Sequence, residues 1–205
     1  MDKAQKKLLK QRYKDEQRKN DPGEVFSGLW LNSIREVDSL NENLIDSWTD
    51  EEIEWKIVCY AFNQIEQENH CSERENLLKL PTGVQAIFAT YLFESSISLD
   101  GNFYNFFFQS NGAFTRETYV GYDAIGNREM YHLMEQCIGA YFKLVRSGEV
   151  KDACGIEHDL DLDEDYFIKV NEFDLDELAQ KINEIDFEVL KRKKVAFIRD
   201  NKHLF

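Results

Sequence analysis

The sequence predicts an all-α protein: a single compact multi-helix domain of about six to eight helices, with a short, partly extended acidic segment. Three observations carry that prediction. Two prolines and ten glycines in 205 residues give little of the turn punctuation that a many-stranded sheet needs. Apolar residues recur at intervals of three and four along most of the chain. Several of these stretches begin on a residue suited to capping a helix. With 42% hydrophobic and 13% aromatic residues, the chain has enough apolar surface to build a core.

Residues 1–22 read as a charged N-terminal arm and residues 23–205 as the helical domain. Leu8, Leu9 and Tyr13 give the arm a thin apolar edge, and "DPG" at 21–23 ends it. Phe26, Leu29, Trp30, Ile34 and Val37 then fall at helical spacing. Thr49 and Glu52 have the spacing of a capping box ahead of a stripe formed by Ile53, Ile57, Ala61 and Ile65. Pro81 opens the next helix, where its missing N–H costs nothing, and Val84, Ile87, Phe88, Tyr91 and Leu92 form its buried stripe.

Five aromatics crowd into six positions after that helix: Phe103, Tyr104, Phe106, Phe107 and Phe108. Strict alternation fails, so a half-exposed strand does not fit. On a helix these rings cover most of the circumference, which predicts a segment surrounded by protein. Burial stabilises by roughly 1.5–3 kcal/mol per large apolar side chain, so the stretch reads as core. "SNG" at 110–112 reads as a left-handed stop. Thr115 is placed to cap a helix ending at Gly126, with Tyr119, Val120 and Ala124 facing inward.

Asn127 starts the longest helix, and Met130, Leu133, Met134, Cys137, Ile138, Tyr141, Phe142 and Val145 repeat along it to "SG" at 147–148. Residues 149–173 are a looser acidic segment. Asp174 with Glu177 repeats the capping-box spacing for a helix bearing Leu175, Leu178, Ile182 and Ile185. The last stretch, "LKRKKVAFIRDNKHLF", is basic with a few apolar anchors. No internal repeat and no low-complexity tract interrupts the chain.

The charge is −14 overall and unevenly spread. The first twenty residues hold eight Lys or Arg against three acids, and the last fifteen hold six against one. Between Glu149 and Glu188 there are fifteen acids and three lysines. A body so acidic repels nucleic acid and anionic membranes and attracts basic partners. The simpler account of such a surface is solubility. The N-terminal lysines and "KRKK" at 191–194 could neutralise phosphates, but the adjoining acidic body opposes direct nucleic-acid binding. No apolar run approaches the length of a membrane span, and the N-terminal stretch has no apolar h-region, so a cytoplasmic protein with reduced thiols is expected.

Motifs for chemistry are missing. Asp159, Asp161 and Asp163 match positions one, three and five of a calcium loop, yet Glu164 stands where glycine is needed and Val170 where a bidentate glutamate belongs. His70 with Cys71, and Cys154 with His158, lack a spaced second pair for zinc. No nucleophile elbow, phosphate loop or zinc-protease motif occurs, and Cys137 falls in a buried stripe. The chain therefore reads as non-enzymatic, with no catalytic residue, no metal and no cofactor.

At residues 99–126, "LDGNFYNFFFQSNGAFTRETYVGYDAIG", the chain resembles a bacterial family built around a domain first catalogued as of unknown function, which includes a DNA-mimic protein. Gly101, Phe103, Phe106, Phe107, Asn111, Gly112, Ala124, Ile125 and Gly126 sit at the family's signature places. Where the family usually has Gly-Gly before the first aromatic, this chain has Gly101-Asn102, and asparagine also tolerates left-handed backbone. The resemblance extends weakly from about Thr49 into the C-terminal helices. It implies an all-α fold, no catalytic activity and a homodimer in many members. In the mimic member, surface carboxylates stand in for DNA phosphates and occupy the DNA-binding face of a transcriptional regulator.

The composition suits that physics. An extended segment would place Asp159, Asp161 and Asp163 on one edge about 6–7 Å apart, close to the phosphate spacing along a strand. With Glu164 and Asp165 these form the expected partner-binding residues, and the expected partner is a basic protein such as a DNA-binding regulator. Other readings stay open. One is an immunity-type inhibitor that masks a toxin. Another is an enzyme or small-molecule binder with a pocket among Tyr104, Tyr119, Tyr122 and His132. A third is a dimerising scaffold.

Overall fold

The computed structural model describes residues 37–65, 70–100, 103–108, 110–149, 151–152, 155 and 175–205. Among these the fold is all-α, with nine α-helices and no strand. They are α1 (Glu42–Ser47), α2 (Ile53–Gln64), α3 (His70–Leu77), α4 (Thr82–Asp100) and α5 (Tyr104–Phe108). A 3₁₀ turn, Ser110–Phe114, leads into α6 (Thr115–Ala124), followed by α7 (Arg128–Ser147), α8 (Leu175–Asn183) and α9 (Phe187–Asp200). A second 3₁₀ turn, Lys202–Leu204, ends the chain. The N-terminal arm and the segment 156–174 lie outside the described residues.

α4 is the axis of the core. Most of its length is buried, and Thr82 and Ser98 near its two ends are exposed. α2, α5 and α6 pack around it, α7 closes over α6, and α9 lies on α2. The predicted stripes are buried in α2 (Ile53, Ile57, Ala61, then Ile65), in α4 and along α7, except that Tyr91 and Val145 are half-buried. Two hydroxyls within α4, Thr90 and Ser96, donate to carbonyls one turn back, Ala86 at 2.8 Å and Leu92 at 2.9 Å, so neither is orphaned by burial.

Helix ends follow local chemistry. Asn41 caps α1, accepting from the Leu44 N–H at 2.9 Å. Asp186 caps α9 by accepting from the N–H groups of Glu188 and Val189, at 3.0 and 3.1 Å. Asn127 caps α7 as predicted, and Gly148 ends that helix at φ +80°, a conformation that favours glycine. Glu52 supplies half of the expected capping box. Its carboxylate accepts from both the N–H and the hydroxyl of Thr49, and the helix begins at Ile53. α1 and α3 have no counterpart among the predicted elements. Both are short, and "HCSERENL" has too few apolar residues to mark a face.

Four expectations are corrected. The aromatic run is not wholly enclosed: Phe103, Phe106 and Phe107 are buried, but Tyr104 is half-buried and Phe108 is 44% exposed. A five-residue helix lies against the core along one side only. Its outer rings, Tyr104 and Phe108, stack on each other at 6.0 Å.

"SNG" is not a left-handed stop either, because residues 110–114 continue as a 3₁₀ turn. Gly112 is required by a close approach instead, since a Cβ there would meet the Phe107 carbonyl oxygen at 2.6 Å.

Thr115 does not cap α6; its hydroxyl donates to the Gly112 carbonyl at 2.7 Å. The inward face of α6 is also not the predicted one. Thr118, Gly121 and Tyr122 are buried, whereas Val120 is 55% exposed, Ala124 is exposed and Tyr119 is half-buried. The reason is proximity to α4. A Cβ at Gly121 would lie 3.1 Å from the Ala86 carbonyl oxygen and from Thr90 Cγ2, and Thr118 donates across the interface to the Ala89 carbonyl at 3.1 Å.

Candidate functional site

The acids expected to bind a partner, Asp159, Asp161, Asp163, Glu164 and Asp165, lie outside the described residues, as does Gly101. The remaining signature residues are structural. Phe103, Phe106 and Phe107 are core, Asn111 is half-buried beside Gly112, and Gly126 adopts φ +73° between α6 and α7.

What the described residues do resolve is where the C-terminal cations go. Lys194, one of the "KRKK" run, is not on the surface. Its side chain is 3% exposed, and its ammonium donates to both Glu54 of α2 and Glu94 of α4. The Tyr122 hydroxyl of α6 donates to the other oxygen of Glu94 at 3.2 Å. One lysine of α9 thereby joins three other helices through a buried polar network, and no buried side-chain nitrogen or oxygen among the described residues lacks a partner.

Burial opposes the charge on Lys194, but Glu94 and Glu54 outweigh it and hold the ammonium above its ordinary pKa. Burial pushes the Glu94 carboxyl upward against the attraction of Lys194. The Tyr122 phenol is driven well up, by burial first and then by Glu94. All three shifts favour protonated groups.

Lys193, Arg199 and Lys202 are engaged as well. Arg199 donates to Asp50 at 2.9 Å and to the carbonyls of Ile45 and Trp48 at 2.8 and 2.6 Å, which ties α9 to the end of α1. Lys202 pairs with Asp46, and Lys193 donates to Asn127 at 2.9 Å. Lys191 and Arg192 line a mixed cleft of about 450 Å³ with Glu51 and Glu188. Glu42, Glu75 and Glu129 stand exposed, with no ion pair among the described residues.

A second cleft, of about 430 Å³, runs along the seam of α4 and α6 and is lined also by Leu78 and Arg74. The tyrosines and histidine considered as a pocket line neither cleft. Tyr122 is sealed in the core, Tyr119 stacks on Tyr131 at 4.3 Å with their hydroxyls bonded, His132 is exposed beside Glu135, and Tyr104 packs on Phe103. Cys137 is fully buried, which pushes its thiol well above the usual range and away from thiolate chemistry. No group of three metal-capable side chains occurs among the described residues, and none of their helices is long and apolar enough to cross a membrane.

Sequence reasoning left open whether "KRKK" meets phosphates or the protein's own acids, and did not single out Lys194 as the buried member. The signal was its register, because Lys194 falls four residues after buried Leu190 and four before buried Ile198. No curated protein and no solved structure matches the chain. The model of the DMP19-like protein family matches residues 78–201, well over half of the chain, spanning the aromatic run, α6, α7 and α9 with Lys194. The chain belongs to the DMP19-like protein family.

Proposed function

We propose that this protein is a non-enzymatic acidic binding protein that acts as a DNA mimic, occupying the DNA-binding surface of a basic protein such as a transcriptional regulator. The observation that carries the reading is a net charge of −14 on a helical body in which Lys194, Arg199 and Lys202 are paired with the chain's own carboxylates. Each paired cation cancels one carboxylate, so the excess of acid remains for other parts of the surface. A partner groove lined with Arg and Lys, built to release counterions from phosphates, would accept rigid carboxylates for the same reason. Membership of a family that resembles a DNA mimic supports this use of the charge.

The test is a pull-down from native cytoplasm at low salt, repeated with duplex DNA as competitor. The reading expects a DNA-binding protein to be captured and then released by the duplex. Capture of a toxin would favour the immunity-type account, and retention of the partner despite excess duplex would overturn mimicry.

A further inference from the structure

The fold leaves one feature without a structural purpose. Val120 and Leu78 are the two most exposed large apolar side chains among the described residues, at 55% and 47%, and both line the same cleft. Arg116, Val120 and Ala124 form an i, i+4, i+8 row along α6, about 12 Å of open seam. Facing them on α4 are Thr82, Gln85 and Ala86. The trough exists because Gly121 and Ala86 bring the two helices close, so small side chains form its floor. Rows of residues four apart, separated by a groove, are the surface into which the ridge of a third helix packs.

The charges of the seam set the occupant. Arg74 and Glu117 cancel, since the guanidinium reaches both carboxylate oxygens at 3.0–3.2 Å and Glu117 is only 6% exposed. Arg116 is exposed and makes no ion pair among the described residues. The seam therefore carries one uncancelled positive charge, opposite in sign to the chain's net −14.

We propose that this seam docks an amphipathic helix of a partner protein, with two aliphatic side chains one turn apart over Val120 and Leu78 and a carboxylate paired with Arg116. This goes beyond DNA mimicry, because the segment that fits here is acidic, whereas the target of a mimic is basic. The two sites use opposite charges and can fail independently.

A phage-displayed library of helical peptides, panned against the full chain, tests it. The expected winners share aliphatic residues at i and i+4 with an acid beside them. Val120→Asp should weaken them by about tenfold or more, the scale of a hot-spot residue, with an unchanged melting temperature because the side chain is exposed. Leu78→Asp should do the same. Arg116→Glu should weaken them too, and replacing the acid of the peptide with lysine should restore binding to that variant. Winners that are basic and bind Val120→Asp and Leu78→Asp as well as the parent would place the interaction on the acidic surface and overturn the seam proposal. Enrichment of no sequence would also overturn it.

Discussion

α6 and α7 are consecutive helices of one core, yet they are held by opposite means. α7 buries Met130, Leu133, Met134, Cys137, Ile138 and Phe142 along an unbroken apolar stripe. α6 buries Thr115, Glu117, Thr118, Gly121 and Tyr122, and turns its valine outward. Its place is secured by close approach at Gly121 and by specific bonds: Thr118 to Ala89, Glu117 to Arg74, Tyr122 to Glu94. Apolar packing is tolerant of exchange, whereas a buried polar face is worth keeping only if every partner is in place. The helix that looks weaker by composition is thus the more exacting one.

The largest break in that comparison should come from Lys194→Ala. It would leave Glu54 and Glu94 facing each other in the core and remove the anchor to which Tyr122 is linked, at a cost of about 3–5 kcal/mol in chemical denaturation. Met134→Ala, in the stripe of α7, should cost about 2–5 kcal/mol through a cavity that neighbours partly fill. Gly121→Leu should cost about 1–3 kcal/mol by forcing α6 off α4, a penalty that composition alone would not suggest.

The smallest effect is one of pH. The folded pKa of Lys194 lies above its unfolded value, so the folded chain keeps a proton that the unfolded chain releases. That stabilisation is complete below the ordinary lysine pKa and is lost as pH rises through the raised one. Melting temperatures followed from about pH 9 to 12 should fall with a component that a Lys194→Met variant lacks. An identical alkaline decline in both chains would remove Lys194 from the account.

This division also explains what could be read from residues alone. α7 was legible in full, because its stripe is apolar and both caps, Asn127 and Gly148, are of types with one structural meaning. α6 was not, because a periodicity argument seeks apolar residues and turned Val120 and Ala124 inward, where the fold places glycine and bonded polar groups. Gly112 was recognised as required but for the wrong cause, since close approach to Phe107 leaves no trace in local sequence. Lys194 was hidden by its neighbours, three further cations from which nothing but helical register distinguishes the buried lysine. The acids of 159–165, legible as a charge pattern, lie outside the described residues.

The central claim is that excess carboxylate on a helical body grips a cation-lined surface. It is tested most directly by measuring the affinity of the purified chain for its captured partner across a salt series. The account predicts a steep linear fall of log affinity with log salt, parallel to that of the same partner for duplex DNA. An affinity that stays level into molar salt would contradict it.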